Sequence, residues 1–244
     1  MTRVLVISDV HANAIALEAV LTDAGKVDAA WCLGDVVGYG PQPNECIERI
    51  RSLPNLTCMM RNHDFAAIGD MPLATFNSDA KKALLWQRQM FSGESQAFLS
   101  SLPGKLIVHG EVSLAHGSPR DPIWEYVMNT QVAKNNLSFF DTPWCFVGHS
   151  HFQAVFQFHA RNDNMTVVVP RPAEQYELKE RAILNPGSVG QPRDRDSRAA
   201  YAIFSPEKRI WEPRRAEYDI KAVQKLILDA GLPPRHAERL AGGW

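Results

Sequence analysis

Short apolar runs alternate with amphipathic stretches over the first quarter of the chain. Val4–Ile7, Ala29–Leu33 and Leu56–Met60 are mostly apolar and predict three buried strands. After the first run, apolar residues recur at helical spacing until Gly25 stops the pattern, and a second helix is predicted near Glu45–Arg51. Strands joined by helical crossovers pair in parallel, so this part of the chain predicts an α/β fold.

The pattern changes in the second half. Asp79–Ser101 predicts a helical segment, and Asp219–Ala230 predicts a helix that Gly231 ends. Lys105–His109 and Val112–His116 flank a Gly-Glu pair that suits a tight hairpin. Further strands are predicted at Trp144–Val147, Phe152–Phe158, Met165–Val169, Arg181–Leu184, Ala199–Ser205 and Lys208–Pro213. No linker or repeat interrupts the chain, so we expect a single domain over residues 1–244, which a C-terminal hairpin and helices from about residue 199 complete.

Composition excludes several classes of function. The chain of 244 residues is 45% hydrophobic and has a formal net charge of -1, so no global positive field favours nucleic acid or an anionic membrane. The longest apolar run, Ala199–Phe204, is too short to span a bilayer, and Asp9 and His11 interrupt any secretion signal. The four cysteines form no C-x-x-C pair and are interpreted as reduced core thiols. These features predict a soluble, cytoplasmic protein.

Polar residues that could bind a metal or take part in catalysis cluster just after the predicted strands. The segments are Asp9-Val10-His11, Gly34-Asp35, Asn62-His63-Asp64, Ala115-His116-Gly117 and Gly148-His149-Ser150-His151. In an open α/β sheet, groups at the carboxyl ends of strands converge on one cleft. Taken singly, Asp35 could be a turn residue and His116 a core histidine. Together, the five segments contain five of the eight histidines, and this clustering favours a metal-binding cleft. We interpret His109, His159 and His236 as structural.

In their order along the chain, these segments resemble the calcineurin-like metallophosphoesterases, specifically the small single-domain prokaryotic branch. The segments His116-Gly117-Ser118-Pro119 and Asn185-Pro186-Gly187-Ser188-Val189-Gly190 extend the match, which runs from residue 3 to about 205. The resemblance implies an α/β fold: a four-layer α/β/β/α sandwich of two mixed β-sheets packed face to face and flanked by helices. It also implies two metal ions at the strand ends.

The resemblance implies a role for each polar residue. Asp9, His11 and His151 would hold one ion, Asn62, His116 and His149 would hold the other, and Asp35 would bridge both. Two carboxylates among seven ligands leave a formal charge of +2 on two divalent ions, which attracts a phosphate ester and a bridging hydroxide nucleophile. His63 resembles the family histidine that protonates the leaving oxygen.

The ligand types limit the choice of metal. Nitrogen and oxygen donors without a thiolate indicate Mn, Fe, Zn, Ni or Co rather than Ca. Since Zn prefers four ligands, a crowded set of seven favours Mn or Fe.

Three arginines are candidates for contact with a substrate phosphate: Arg120, Arg193 and Arg61. Arg61 stands where the family usually has glycine, so we expect a strained left-handed backbone there that costs about 1–2 kcal/mol, with metal binding retained. An ordinary backbone and a guanidinium that contacts the substrate phosphate are the alternatives for Arg61.

We expect Trp124 and Tyr126 to pack rather than to stack on a base. The basic residues Arg193, Arg195, Arg198, Arg209, Arg214 and Arg215 are interpreted as a solvated face.

These features favour a metal-dependent hydrolase of phosphate monoesters or diesters. Its substrate would be a phosphorylated small molecule or a nucleotide. A dinucleoside polyphosphate hydrolase and a Ser/Thr-type protein phosphatase are alternatives within this class. The alternative outside it is a catalytically weak scaffold that retains the fold, and Arg61 is the one feature that favours it.

Overall fold

Two six-stranded sheets form the centre of the structure, a computed structural model that describes residues 1–244. The strands are β1 (Val4–Ile7), β2 (Ala29–Cys32), β3 (Leu56–Cys58), β4 (Ile107–His109), β5 (Val112–Leu114), β6 (Trp144–Phe146), β7 (Ala154–His159), β8 (Asn164–Val168), β9 (Tyr176–Glu177), β10 (Ala182–Asn185), β11 (Ala199–Ser205) and β12 (Ile210–Ala216). The first sheet has the order β3-β2-β1-β11-β12-β9, and the second has the order β4-β5-β6-β10-β7-β8.

Both sheets are mixed. In the first, β1, β2 and β3 pair in parallel as predicted, with Val6 opposite Trp31, whereas β11 and β12 pair antiparallel. In the second, β5, β6 and β10 are parallel, and the hairpins β4–β5 and β7–β8 close the two edges. The carboxyl ends of β1, β2, β5 and β6 therefore all present loops that can carry a site.

The alternation of β1 shows how the layers form. Val4 and Val6 belong to the core between the sheets, together with Trp211 and Phe146, while Leu5 and Ile7 pack under the helices. A strand buried on both faces must be apolar throughout, as β1 is. A third cluster lies outside the second sheet, where Phe156 packs under the helix that covers it. The predicted α/β/β/α sandwich is confirmed.

Eight helices cover the sheets: α1 (Ala14–Ala24), α2 (Pro43–Arg51), α3 (Asn62–Ile68), α4 (Ser78–Met90), α5 (Gly93–Ser101), α6 (Thr130–Asn136), α7 (Ile220–Asp229) and α8 (Pro234–Gly242). The predicted helical segment Asp79–Ser101 is in fact two helices. Phe91 leaves the helical region at φ -62° and ψ 131°, and the Ser92 side chain accepts from the Ser95 N–H to start α5. The short helices α3, α6 and α8 were not predicted.

The C-terminal helices lie beside α4. Val223 and Ile227 of α7 and Leu240 of α8 form a separate apolar cluster with Ala83 of α4. This packing brings the polar face of α8 next to the first turn of α4. All four cysteines are free and buried, as predicted. No helix has both the length and the apolar character that a membrane span requires.

Candidate metal centre

The predicted metal ligands come together at one end of the sandwich. Asp9 follows β1, Asp35 follows β2 and Asn62 begins α3, all on the side of the first sheet. His116 follows β5, and the pair His149 and His151 follows β6, on the side of the second sheet. His11 completes the set, and each of these side chains is buried to at least 96%. The centre is therefore built from both sheets.

Five of these residues have left-handed backbones. The positive φ angles are 54° for Asp9, 49° for His11, 53° for Asp35, 64° for His149 and 58° for His151. Such conformations are uncommon outside glycine, and they cluster at functional sites where the surrounding structure enforces them. Close backbone contacts supply that enforcement here: a Cβ on Gly190 would lie 1.9 Å from the Val10 carbonyl oxygen.

Backbone carbonyls fix three of the imidazole rings. Nδ1 of His11 lies 3.0 Å from the Val37 oxygen, and Nδ1 of His116 lies 3.0 Å from the Leu33 oxygen. Nδ1 of His151 lies 2.6 Å from the oxygen of Gln191. Because a carbonyl only accepts, each Nδ1 carries the proton, and each Nε2 is left with a free lone pair.

The free Nε2 atoms face the two carboxylates. Oδ1 of Asp9 lies 3.1 Å from Nε2 of His151 and 3.7 Å from Nε2 of His11. Oδ2 of Asp35 lies 3.2 Å from Nε2 of His116 and 4.0 Å from Nε2 of His11. Asp35 thus reaches ligands of both predicted ions, as a bridging carboxylate must.

The unsatisfied atoms of the cluster test whether metal ions fit. Four buried polar atoms without a hydrogen-bond partner belong to predicted ligands: Asp9 Oδ1, Asn62 Oδ1, His116 Nε2 and His149 Nε2. Each is a lone-pair donor, and buried polar atoms are normally paired. Potential metal ligands lie within reach of one another in the groups Asp9–His11–His151, Asp35–His116–His149 and His11–Asp35–His63. The donor set fits two cations.

Burial controls the protonation of the cluster. Burial, followed by the neighbouring His151 and His63, holds the pKa of His11 well below its usual value. Burial lowers the pKa of His116 to about 4 and that of His149 to about 3. The imidazoles are therefore neutral at pH 7, which is the form that binds metal. Burial and the nearby Asp9 raise the pKa of Asp35, so cations that relieve this repulsion would stabilise its ionised form.

Comparison with known proteins identifies the family. Residues 2–209 match the calcineurin-like phosphoesterase superfamily domain. The chain belongs to this superfamily. This phosphoesterase is 45% identical to a metallophosphoesterase from Sphaerobacter thermophilus, whose crystal structure matches with a TM-score of 0.91 over 100% of this chain and 99% of that chain. An uncharacterized protein of Methanocaldococcus jannaschii is 37% identical over 98% of this chain and 97% of its own length. A hypothetical protein from Pyrococcus horikoshii, 21% identical, shares the fold with a TM-score of 0.78 over 100% of this chain and 99% of that chain.

Asp64 supports the centre of the phosphoesterase without facing its cavity. Its Oδ2 accepts from the backbone N–H of Asp35 at 2.9 Å and of Arg61 at 3.1 Å, and its Oδ1 accepts from Val37 N–H at 3.1 Å. The carboxylate therefore ties the loop after β2 to the start of α3. Sequence reasoning quoted this residue but gave it no role, although a carboxylate at the third position of a helix is a recognised capping signal.

The strain expected at Arg61 is wrong. Its φ of -133° and ψ of -172° are ordinary extended values, because the residue precedes the first turn of α3. The side chain is fully buried, and its guanidinium donates to Met59 Sδ and to the Lys105 carbonyl. A Cβ on Gly34 would lie 2.2 Å from Arg61 Cγ, so glycine there makes room for the arginine. Arg61 does not line the cavity in front of the metal ligands.

The other two candidate arginines lie in different settings. Arg193 lines the cavity of about 110 Å³ in front of the ligands, donates to Gln191 Oε1 at 3.0 Å and has a buried Nε without a partner. Arg120 pairs with Glu125 on an exposed loop and does not line that cavity. Among the six basic residues, the predicted solvated face is wrong for Arg215, whose side chain is 5% exposed and paired with Asp194.

Aromatic side chains wall the cavity. Tyr126 stacks on the His149 ring at 4.0 Å between centroids, and Trp124 contacts the ring of Phe76. Both side chains also line the cavity and remain partly exposed. Tyr39, which sequence reasoning missed, contacts the rings of His11 and His63. Its position between Gly38 and Gly40, shortly after Asp35, was the available signal. His63 lines the same cavity, and its buried Nδ1 has no partner.

Proposed function

We propose that the protein is a hydrolase of phosphate esters with a dinuclear metal centre. The observation that carries this proposal is the convergence of unsatisfied ligand atoms from both sheets on one buried space. Asp9, His11 and His151 would hold one ion, Asn62, His116 and His149 the other, and Asp35 both. When bound, two divalent ions neutralise phosphate charge and lower the pKa of water to about 7.

The metal is proposed to be Mn or Fe. The centre offers imidazole nitrogens and carboxylate or amide oxygens but no thiolate, and its seven donors exceed what two tetrahedral zinc sites with open positions require. Zn, Ni and Co remain compatible with the same donors.

Residues of the protein itself would orient the ester and protonate its leaving oxygen. Arg193 carries a guanidinium into the cavity, where its unpartnered Nε can donate to a phosphate oxygen. His63 lies beside the ligands, with its backbone N–H donating to Asp35 Oδ1 at 3.1 Å, and its ring reaches the cavity. We assign it the protonation of the leaving oxygen. The group His11–Asp35–His63 makes a ligand role the alternative.

The complete ligand set favours an enzyme over a scaffold. The ordinary backbone of Arg61 removes the one sequence feature that favoured the scaffold. The hairpin β11–β12 pairs with β1 at the centre of the first sheet, which supports residues 1–244 as one metallophosphoesterase domain. The net charge of -1 supports a small-molecule phosphate substrate rather than nucleic acid.

The test combines metal analysis with an activity panel. Protein loaded with Mn, Fe, Zn, Ni or Co is assayed on monoester and diester substrates, and its metal content is measured. Asp9→Asn should lose metal and activity, whereas the matched control Asp163→Asn should keep both. Both residues have left-handed backbones, at φ 54° and 52°, so the two substitutions place asparagine in the same conformation. A protein that binds no metal, or an Asp9→Asn variant as active as wild type, would refute the proposal.

A further inference from the structure

A second cavity adjoins the metal cavity. It has a volume of about 360 Å³ and shares Tyr39, Asn77, Tyr126 and Arg193 with the smaller cavity of about 110 Å³ that the metal ligands line. The two cavities therefore lie side by side along these four residues. A substrate held at the metal ligands can extend past Arg193 into the larger space.

Positive charge dominates this second cavity. Its charged lining residues are Arg193, Arg235 and Arg239 against one carboxylate, Asp79. Its histidine, His236, is neutral at pH 7, since burial lowers its pKa to about 4. Asn77 and Ser78, at the start of α4, also line the cavity. Asp79 offsets only part of this charge.

The arginines of α8 contact Trp244 and have no acidic side chain as a partner. Neither Arg235 nor Arg239 forms an ion pair with an Asp or Glu side chain, and each guanidinium lies 5.9 Å from the centroid of the Trp244 ring. Arg239 Nε donates to the main-chain oxygen of Trp244 at 2.6 Å, which fixes the position of this guanidinium. Burial, then Arg193 and Arg235, lower the pKa of Arg239 to about 10. The three arginines therefore repel one another, and Asp79 is the one acidic side chain that lines the cavity.

Both unpaired arginines belong to α8, which lies outside the residues that match the family domain, 2–209. The apolar contacts of α7 and α8 with α4 bring them to the edge of the metal cavity. The helix α8 therefore supplies Arg235, His236 and Arg239 to this cavity, and the other lining residues lie within residues 2–209.

We propose that the second cavity is an anion subsite for a phosphate group other than the one that is hydrolysed. The substrate is then an ester that carries at least two phosphates, with the reacting phosphate at the metal ligands and another between Arg235 and Arg239. Tyr39 and Tyr126 line both cavities, and their aromatic rings would lie beside a substrate that spans them. This inference rests on the proposed function, since it extends the same site.

The test compares two substrates in metal-loaded enzyme. p-Nitrophenyl phosphate has one phosphate, and ATP has three. In the double variant Arg235→Gln/Arg239→Gln, the ratio of kcat/KM for ATP to that for p-nitrophenyl phosphate should fall about 10-fold or more, as expected for loss of charge-assisted hydrogen bonds. Arg235→Lys/Arg239→Lys should recover part of the ratio. The control Lys221→Gln removes an exposed positive charge from α7, which does not line the cavity, and should leave the ratio unchanged.

A binding measurement separates this inference from the proposed function. Inorganic pyrophosphate is titrated calorimetrically into protein stripped of metal with EDTA, for wild type and for the double glutamine variant. Wild-type binding that the variant loses supports the subsite, even if no ester is hydrolysed. An unchanged substrate ratio together with equal pyrophosphate binding would overturn the subsite, whatever the enzyme hydrolyses. A melting curve for each variant shows whether it is folded.

Discussion

Replacing Asp64 with asparagine is expected to weaken metal binding, because Asp64 fixes the backbone that carries Asp35 and the start of α3. The change keeps the size of the side chain but turns one acceptor oxygen into an N–H₂ donor. The carboxylate accepts three backbone N–H groups, from Asp35, Val37 and Arg61. An amide can keep the two that share Oδ2, and its nitrogen then faces the N–H of Val37. The hydrogen bond from the Val37 N–H is lost, and this N–H then faces the amide N–H₂ donor in a fully buried position.

The expected loss follows from these contacts. A hydrogen bond to a charged group contributes about 1.5–3 kcal/mol, and an unsatisfied buried donor costs about 1–3 kcal/mol. The free energy of unfolding should therefore fall by about 2.5–6 kcal/mol. Part of this loss is offset, because burial and Asp35 raise the pKa of Asp64 and so disfavour its charge in the wild type. For a chain of this size, a decrease of 2 kcal/mol corresponds to a melting temperature lower by about 4 °C or more.

The same variant should bind metal about 10–100-fold more weakly, as expected when a group that orients a ligand is changed. Melting curves and metal titrations measure the two effects. Asp70→Asn is the matched control, because Asp70 follows the same helix with an exposed side chain that makes no hydrogen bond. If Asp64→Asn melted and bound metal like this control, Asp64 would not be the anchor between Asp35 and α3.

Three further results are expected. Asp35→Asn should leave the fold intact but reduce activity by orders of magnitude and metal content below two ions per chain, and wild-type turnover would contradict the bridging role. His63→Ala should keep both metals and lower kcat by about 10²–10⁴-fold, less for nitrophenyl than for alkyl esters; equal losses for both would contradict a proton donor. Although burial acts to raise it, hydrogen bonds from Arg120, Asn136 and Ser118 lower the pKa of Glu125 to about 2 from its usual 4.5. The wild type should therefore be more stable than Glu125→Gln above pH 4.5 and lose that advantage as the pH falls towards 2, and parallel stability–pH curves would contradict this.

The sequence was most informative where candidate metal ligands directly follow a strand. Asp9 and His11 could be recognised because the end of β1 and the residue spacing are local features. The break between α4 and α5 was missed because the helical pattern continues through Phe91, and only the backbone turn there separates the two helices. Arg61 was misjudged because its conformation depends on where α3 begins. The surroundings of Arg239 depend on how α8 packs against α4, which no local pattern records.

The position of β11 has a consequence for synthesis on the ribosome. β1 lies between β2 and β11, so its second neighbour emerges about two hundred residues after it. A nascent chain has all the residues from Asp9 to His151 before β11 is made, yet the strand that braces β1 is still missing. At about 5–20 residues per second, that interval lasts seconds. During that interval β1 is paired with β2 alone, and the first sheet cannot be completed until β11 arrives.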